Sequence, residues 1–274
     1  MKNIKLQKVL FYGLLLLMTI IYMGPFLFSL SISFNADQDV FSWPIKLLPE
    51  DWTLDNYRRV WRDLPFGQWL LNSVIITLVQ TITNVFFASL AGFAFARLDF
   101  PGKNILFAIL LGSLMIPGII LLVPKFIILN EFSLINTYAG LMLPGLVTVV
   151  NIFLMKQFFE TIPKDLEEAA LIDGCSYFRI FWQIFLPVSK PALAAVAIYT
   201  FQGAWNEFMW PVIVTTTREM FTLPVGMAFL KNEFSVQWPL LMAGTILISL
   251  PTLAIFLIFQ RYFVQGVASA GLKE

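Results

Sequence analysis

The segment that decides the fold is residues 161–191, TIPKDLEEAALIDGCSYFRIFWQIFLPVSKP, a charged run between two apolar segments. Pro163 suits the first turn of a helix, and the acidic residues after it complement the positive end of the helix dipole. Gly174 is a typical C-terminal stop, Ser176 can cap a second helix, and Pro187 can end that helix. The pattern therefore predicts two short helices, joined by a glycine bend and lying outside the bilayer.

The second of these helices is too apolar for a free surface loop. A patch of this kind is typical of a partner site or of a bilayer interface. The pattern alone leaves an amphipathic connector resting on the membrane surface as an equal alternative. The apolar residues of the patch are Phe178, Ile180, Phe181, Trp182, Ile184 and Phe185.

The spacing within this segment resembles a known motif. The residues concerned, with gaps of three and nine positions, are Glu168, Ala169, Ala170, Gly174, Ile184, Leu186 and Pro187. All of them match the EAA motif of binding-protein-dependent ABC importers. The resemblance implies that residues 158–190 form a cytoplasmic coupling loop of a permease subunit, which docks into a groove on a separate ATPase.

The resemblance extends from about Trp69 to the C-terminus and is closest to the sugar-uptake branch, in particular to the second permease of maltose-type importers. It implies an all-α polytopic membrane protein with six transmembrane helices, the type I ABC importer permease fold and both termini cytoplasmic. The segments that carry it are Asn136-Thr137-Tyr138, Trp205-Asn206-Glu207-Phe208 and Phe259-Gln260-Arg261-Tyr262. The implied divisions are an N-terminal span with an extracytoplasmic loop (1–68), the permease domain (69–261) and a cytoplasmic tail (262–274).

Composition points to a membrane independently of the motif. Of 274 residues, 58% are hydrophobic and 13% are charged, whereas a soluble domain has about 25% charged residues. A net charge of +1 argues against a nucleic-acid binder. One cysteine and no histidine exclude a disulfide framework and argue against a metal site and against Ser-His or Cys-His catalysis.

Six apolar segments of about 20 residues can each cross about 30 Å of hydrocarbon. The predicted spans are 9–34, 68–96, 104–123, 137–155, 192–214 and 239–259. For the first span a secretory signal is the alternative, but the run is long and no cleavage site follows closely. Pro-Gly or Gly-Pro pairs within the first, third and fourth spans predict bends.

The segments between the spans divide into two sides. Residues 35–67 and 215–237 are predicted outer loops, the former with a short capped helix at 51–57 and, by resemblance, a docking role for the binding protein. Residues 124–136 are predicted to be an outer connector. Of the 18 lysines and arginines, more fall on the side of the N-terminus. This bias favours both termini inside, with the 158–190 loop on the ATP side.

Polar residues form one face of the second span. On a helix of 100° per residue, every polar residue from position 72 to 84 falls within one half of the wheel. This face looks towards other helices or a wet cavity, so interhelical bonding and pathway lining are both open. Ala88, Gly92 and Ala96 allow close helix packing further along.

The fifth span carries Asn206-Glu207 near its predicted outer end, between Trp205 and Trp210. Two tryptophans at that height are typical of an interfacial belt, so Glu207 lies either among lipid headgroups or at the mouth of a cavity as a gate or sugar contact. The predicted substrate-pathway residues are Asn72, Gln80, Asn84, Asn151, Asn206 and Glu207.

The chain has no phosphate-cradling G-x-x-x-x-G-K-[ST] run, so we expect no ATP hydrolysis, no enzyme activity and no cofactor of its own. No span pairs an acid with a base, which argues against a proton-coupled secondary transporter. In such a transporter Glu207 would have to be the proton-binding site by itself. A polytopic enzyme would have only carboxylates, mostly in loops.

The resemblance implies a permease that imports a di- or oligosaccharide through the bacterial cytoplasmic membrane. Its expected partners are a second permease, an ATPase dimer that uses the ATP, an extracytoplasmic sugar-binding protein and membrane lipid. Glycerol-phosphate or a polyol is the alternative substrate. In some importers of this kind the other permease alone holds the sugar.

Overall fold

A computed structural model describes the backbone of residues 2–36, 40, 43, 46–233 and 237–271, and their side chains except at 2–6, 231–233 and 260–271. The last three residues of the predicted tail, and the side chains of Gln260-Arg261-Tyr262, lie outside the described residues. Within the described part of the chain, all regular elements are helical apart from one isolated bridge between Asn35 and Trp52.

The described helices follow one another along the chain, most of them with short connections. In order, they are α1 Lys2–Ser33, α2 Asp55–Arg62, α3 Phe66–Arg97, α4 Lys103–Ser113, α5 Leu122–Glu131, α6 Tyr138–Met142, α7 Val149–Glu160, α8 Lys164–Ile172, α9 Tyr177–Ile180, α10 Leu186–Val188, α11 Lys190–Trp205, α12 Met209–Val214, α13 Leu223–Glu233 and α14 Trp238–Gly271. Single turns of 3-10 helix lie at Gly118–Leu121, Leu143–Gly145 and Arg218–Met220, and one π turn lies at Phe181–Phe185.

Among the described residues, three stretches are long and apolar enough to cross a membrane as single helices: Gln7–Ser33, Phe66–Arg97 and Trp238–Phe259. Three bent pairs also pass this test of length and composition. They are Lys103–Ser113 with Gly118–Glu131 at 93°, Tyr138–Gly145 with Val149–Glu160 at 40°, and Tyr177–Val188 with Lys190–Trp205 at 80°. Counting each pair as one span gives up to six by length and composition, although the third pair begins within the predicted 158–190 loop.

The third predicted span, 104–123 with a bend at Pro117-Gly118, is bent there by 93°, and its second half extends beyond residue 123 to Glu131. Helix α4 ends at Ser113, and Pro117 takes an extended ψ of 127° before the chain turns into α5. Proline lacks the N–H and its ring clashes with the preceding turn, so the helix ends before it. The predicted outer connector at 124–136 is largely occupied by α5.

The fourth and fifth predicted spans are also interrupted. Residues 137–155 contain the short helix α6 and the 3-10 turn with Pro144, so the long helix starts only at Val149. Residues 192–214 contain a break at 206–208 between α11 and α12. The outer loop 215–237 contains helix α13. Apolar composition is similar on both sides of each break, so hydropathy alone does not reveal it.

One compact unit consists of Met1–Gly67 and Gly226–Leu250. In it the predicted capped helix starts at Asp55 rather than at residue 51, and the Oγ1 of Thr53 accepts a hydrogen bond from the Asp55 N–H at 3.0 Å. The buried Asn56 donates to the carbonyls of Ser33 and Asn35 at 3.1 and 2.9 Å. These bonds attach α2 to the end of α1.

The other compact unit consists of Gln68–Val225 and Pro251–Glu274. Its helices α3 and α7 pack closely because Ala88 is fully buried and Gly92 has no side chain. A Cβ atom at Gly92 would lie 2.7 Å from the Cβ of Met155 and 2.9 Å from the backbone N of Lys156. The predicted close approach at these small residues is thereby confirmed.

Substitution of Gly92 by valine should destabilise the protein by about 1–3 kcal/mol, because the new side chain overpacks a close backbone contact. The matched control is Gly112→Val in α4, where a Cβ meets nothing within 4 Å. Thermal unfolding of the detergent-solubilised variants measures the difference, and equal midpoints for the two variants would contradict the predicted contact.

Candidate functional site

The 158–190 loop consists of two short helices, as predicted. Helix α8 ends at Ile172, Gly174 has a φ of +79°, and the Oγ of Ser176 accepts a hydrogen bond from the Arg179 N–H at 3.4 Å. Gly174 is therefore a left-handed bend that other residues adopt only with strain.

Both prolines of the loop differ from the prediction in detail. Pro163 precedes the first residue of α8 and is not in its first turn. Pro187 does not end a helix but lies within the second helical segment, directly after the π turn. The second helical segment of the loop thus continues to Val188, through the π turn at Phe181–Phe185.

Half of the predicted apolar patch belongs to the core of the chain, so its interpretation as a partner or bilayer surface is wrong there. Ile180, Phe181 and Phe185 are at most 1% exposed, because they pack on α3 and α7. The ring centroid of Phe185 lies 4.9 Å from that of Phe93 and 5.5 Å from that of Phe159. We call the cluster that these residues form with Phe93 and Phe159 the loop core. Phe178 and Trp182 are exposed.

The motif residues divide between the loop core and the surface. Ala170 is buried, and Ile184 and Leu186 pack half-buried against the loop core. Glu168, Ala169, Gly174 and Pro187 are exposed. The neighbouring Ile172 is 86% exposed. Helix α8 is therefore held on one side and presents acidic and apolar groups on the other.

A buried amide network joins α3 to the breaks in the other helices. The fully buried Asn84 donates from Nδ2 to the Gly145 carbonyl at 2.8 Å, and its Oδ1 accepts from the Thr148 N–H and from Asn151 Nδ2, both at 2.9 Å. Asn151 also donates to the Oγ1 of Thr200 on α11 at 2.8 Å. The network connects three helical segments without a charged group.

Asn72, near the start of α3, also bonds to backbone carbonyls outside its own helix. Its Nδ2 donates to the carbonyls of Glu219 and Phe221 at 2.7 and 2.8 Å, and its Oδ1 accepts from the Tyr138 hydroxyl. Asn72 has no exposed surface. Asn72 and Asn84 thus make the interhelical bonds that were one of the two alternatives for the polar face.

A cavity of about 280 Å³ lies beside this network. Its polar lining residues, apart from the Trp210 indole, are Gln80, Lys125, Thr148, Asn151, Tyr199, Thr200 and Glu207. Three of the predicted pathway residues, Gln80, Asn151 and Glu207, therefore come together here. Asn72, Asn84 and Asn206 do not line it.

The segment around Glu207 is a helix break and not the end of a span. Its Oε1 accepts a hydrogen bond from the Trp210 N–H at 3.2 Å, at the start of α12. Asn206 is exposed and bonds back to the Gln202 carbonyl at 2.8 Å. Trp205 and Trp210 are 2% and 7% exposed. The predicted interfacial belt is wrong for this pair, because both indoles pack inside the chain.

Residues 84–269 match the family described as "Binding-protein-dependent transport system inner membrane component". The chain belongs to this family. It is a membrane permease component of a transport system and not an enzyme.

This permease is 36% identical, over 91% of its own length and 90% of the relative's, to the arabinooligosaccharides transport system permease protein AraQ of Halalkalibacterium halodurans. It is 33% identical, over 93% of its length and 95% of the relative's, to the sn-glycerol-3-phosphate transport system permease protein UgpE of Yersinia pestis bv. Antiqua. A chain of a bacterial ABC transporter that imports the acidic polysaccharide alginate superposes with a TM-score of 0.84 at 21% identity, covering 96% and 98% of the two chains. The predicted ABC importer permease fold is thereby confirmed.

Sequence inspection missed four polar residues of the cavity in this permease: Lys125, Thr148, Tyr199 and Thr200. Lys125 was available as a signal, because a cation inside an apolar run is a functional candidate by default. It was assigned to an outer connector because the third span was predicted to end at residue 123, whereas α5 continues to Glu131. Tyr199 and Thr200 carry no signal beyond isolated polarity within a span.

Substitution of Asn84 by leucine should destabilise this permease by about 1–3 kcal/mol for each buried polar group left without a partner. Asn206→Leu, which removes a single exposed bond within one helix turn, is the matched control and should have little effect. Thermal unfolding in detergent is the measurement. Equal loss of stability in both variants would disprove the bridging role of Asn84.

Proposed function

We propose that this permease is a membrane subunit of an ATP-driven importer that moves a di- or oligosaccharide across the bacterial cytoplasmic membrane. The cavity lined by Gln80, Asn151, Tyr199, Thr200 and Glu207 is the observation that carries the proposal. Membership of a binding-protein-dependent family and similarity to an arabinooligosaccharide permease support it.

The chemistry of the cavity suits a sugar. Sugar hydroxyls need hydrogen-bond partners on leaving water, and amide, hydroxyl and carboxylate groups are available here from three helices and from the break at 206–208. The aromatic rings of Tyr199 and Trp210 supply apolar surface for the face of a pyranose ring. Asn84 acts indirectly in this proposal, by holding the helix break that shapes the cavity.

The assembly we propose contains a second permease, an ATPase dimer and an extracytoplasmic sugar-binding protein. ATP is used by the ATPase dimer, since this chain contains no phosphate-cradling motif. Both termini and the 158–190 loop face the cytoplasm, in line with the distribution of lysine and arginine. The permease domain is proposed to extend over 69–261.

In this proposal the loop transmits movement of the ATPases to the spans. The outer side of α8, with Glu168 and Ile172, is exposed and available for docking, whereas the inner side is anchored to the loop core. An element held on one side by tight packing moves as a body with the helices beneath it. Closure of the ATPases would therefore tilt α3, α7 and α11 together.

Gly174→Pro tests this coupling role. Proline fixes φ near −65°, so it cannot adopt the +79° of this bend and should displace α8 from its docking position. We expect loss of ATPase co-purification or of binding-protein-stimulated ATP hydrolysis. Gly102→Pro is the matched control, because Gly102 has the same φ in the turn between α3 and α4, outside the loop. Intact coupling in the Gly174 variant would refute the role of the loop.

An anionic substrate such as glycerol-phosphate is the second candidate, and one observation favours it. Lys125 lines the cavity with an ammonium group that makes no ion pair within 4.0 Å among the described residues. An ammonium group binds phosphate or carboxylate through charge-assisted hydrogen bonds. The similarity to a glycerol-3-phosphate permease points the same way.

Lys125→Met separates the two substrates. Loss of a hydrogen bond to a charged group costs about 1.5–3 kcal/mol, so transport of an anionic substrate should fall about 10- to 100-fold. Transport of a neutral oligosaccharide should change little. Uptake of sn-glycerol-3-phosphate and of an arabino-oligosaccharide by the reconstituted assembly is the measurement, with the exposed Lys8→Met as control. An equal effect on both probes would exclude a charge-selective cavity.

A further inference from the structure

Arg97, the last residue of α3, lies against the 158–190 loop. Its side chain is 4% exposed, and its Nε lies 3.8 Å from the Oε2 of Glu167 in α8, whose side chain is 11% exposed. One guanidinium nitrogen, Nη2, donates to the carbonyl of Phe159 at 2.7 Å and also to that of Ile162. A single side chain thus connects α3, the end of α7 and α8.

The same guanidinium also contacts the second half of the loop. Its Cζ lies 5.0 Å from the centroid of the Phe185 ring, which is fully buried in the loop core. A cation over an aromatic face is attracted by the ring quadrupole, and more strongly where water is excluded. Arg97 is therefore in contact with both helical segments of the loop.

Glu167 is the counter-ion of this buried cation. The Nε of Arg97 makes no hydrogen bond, and the carboxylate at 3.8 Å is beyond hydrogen-bond distance. A buried charge without a nearby opposite charge is strongly unfavourable. The neighbouring Glu168 is exposed, so the two adjacent glutamates have different surroundings: one faces the chain and the other faces outwards.

We propose that the Arg97–Glu167 ion pair makes α3 and α8 a single rigid lever, with Glu167 as the positioning residue. Helix α3 is continuous from the loop to the cavity, and Gln80 lies 17 residues before Arg97, which is about 25 Å along the axis. Movement of α8 then displaces Gln80 in the cavity wall. This inference rests on the coupling role proposed above.

The test uses the complete permease–ATPase assembly and needs no sugar. In a Cys175→Ser background, Gln80→Cys gives one thiol in the cavity wall, whose rate of modification by a small cationic methanethiosulfonate is measured with and without Mg-ATP. In the parent, the modification rate with Mg-ATP should differ from the rate without it; we call the quotient of the two rates the ATP-dependent ratio. In Glu167→Gln this ratio should fall about 2- to 30-fold, the range for substitutions along a coupled network. The ATPase should still co-purify.

Asp99→Asn is the matched control. The Asp99 carboxylate lies 3.6 Å from the Nζ of Lys103 in the turn after α3, and the Asp99 side chain is fully exposed. Asp99→Asn therefore removes a solvent-exposed ion pair at the same helix end without changing the loop. A ratio in Glu167→Gln equal to that of Asp99→Asn overturns the lever. Absence of an ATP response in the parent itself would instead disprove the proposed coupling, and the lever with it.

Glu167→Asp distinguishes charge from packing and keeps the proposal testable if Glu167→Gln assembles poorly. If the ion pair holds the lever, the ATP-dependent ratio should be higher in Glu167→Asp than in Glu167→Gln, because aspartate keeps the charge although its side chain is shorter. If Glu167 only fills space, the ratio should be higher in Glu167→Gln than in Glu167→Asp, because glutamine has the shape of glutamate. Recovery of the ATP-dependent ratio in Glu167→Asp supports the lever, and a lower ratio than in Glu167→Gln overturns it.

Discussion

Burial of the loop core is the interaction on which the rest of this permease depends. Phe93 of α3 and Phe159 of α7 contact Phe181 and Phe185 of the loop, and full burial of one such side chain stabilises by about 1.5–3 kcal/mol. Without this cluster, 158–190 would be an amphipathic connector on the surface. With it, the loop is part of the helix bundle, and a force applied to α8 acts on the helices below. The buried cation of Arg97 is tolerated there because carbonyls, a ring and Glu167 all face it.

The buried amide side chains bond to the backbone groups that the helix breaks leave free. A helix break frees carbonyl groups that water cannot reach in an apolar region, and such groups are costly unless they are bonded. Asn84 accommodates the break at Gly145 and Thr148, and the Trp210 indole donates to the carbonyl of Gly140 at 3.0 Å. The breaks also give the cavity its polar wall, since Gly145, Thr148 and Glu207 all lie at or next to an interruption. Irregular backbone and ligand-sized space therefore occur together in this bundle.

Several elements could be predicted from sequence because their signals are local. The three long spans follow from hydropathy, the glycine bend at Gly174 follows from the stop signal, and the packing of Gly92 follows from its small-residue spacing. The bends of the third and fourth spans were predicted from their Pro-Gly pairs, but the extent of each break was not, because hydropathy is the same whether a proline bends a helix or ends it. The tryptophans were assigned to a bilayer interface because sequence shows their position along a span but not the neighbours that bury them.

The sequence by itself determined the class of molecule, the six apolar segments and the spacing that resembles the EAA motif, because composition, periodicity and spacing are properties of residues close together along the chain. Tertiary structure alone decided which polar groups bond to each other and which line the cavity. Asn84 and Thr148 are 64 positions apart, and Arg97 and Glu167 are 70 apart, so only packing brings them together. The different surroundings of Glu167 and Glu168 have the same origin, because only one face of α8 is turned towards the loop core. That orientation is set by the burial of aromatic rings from other helices.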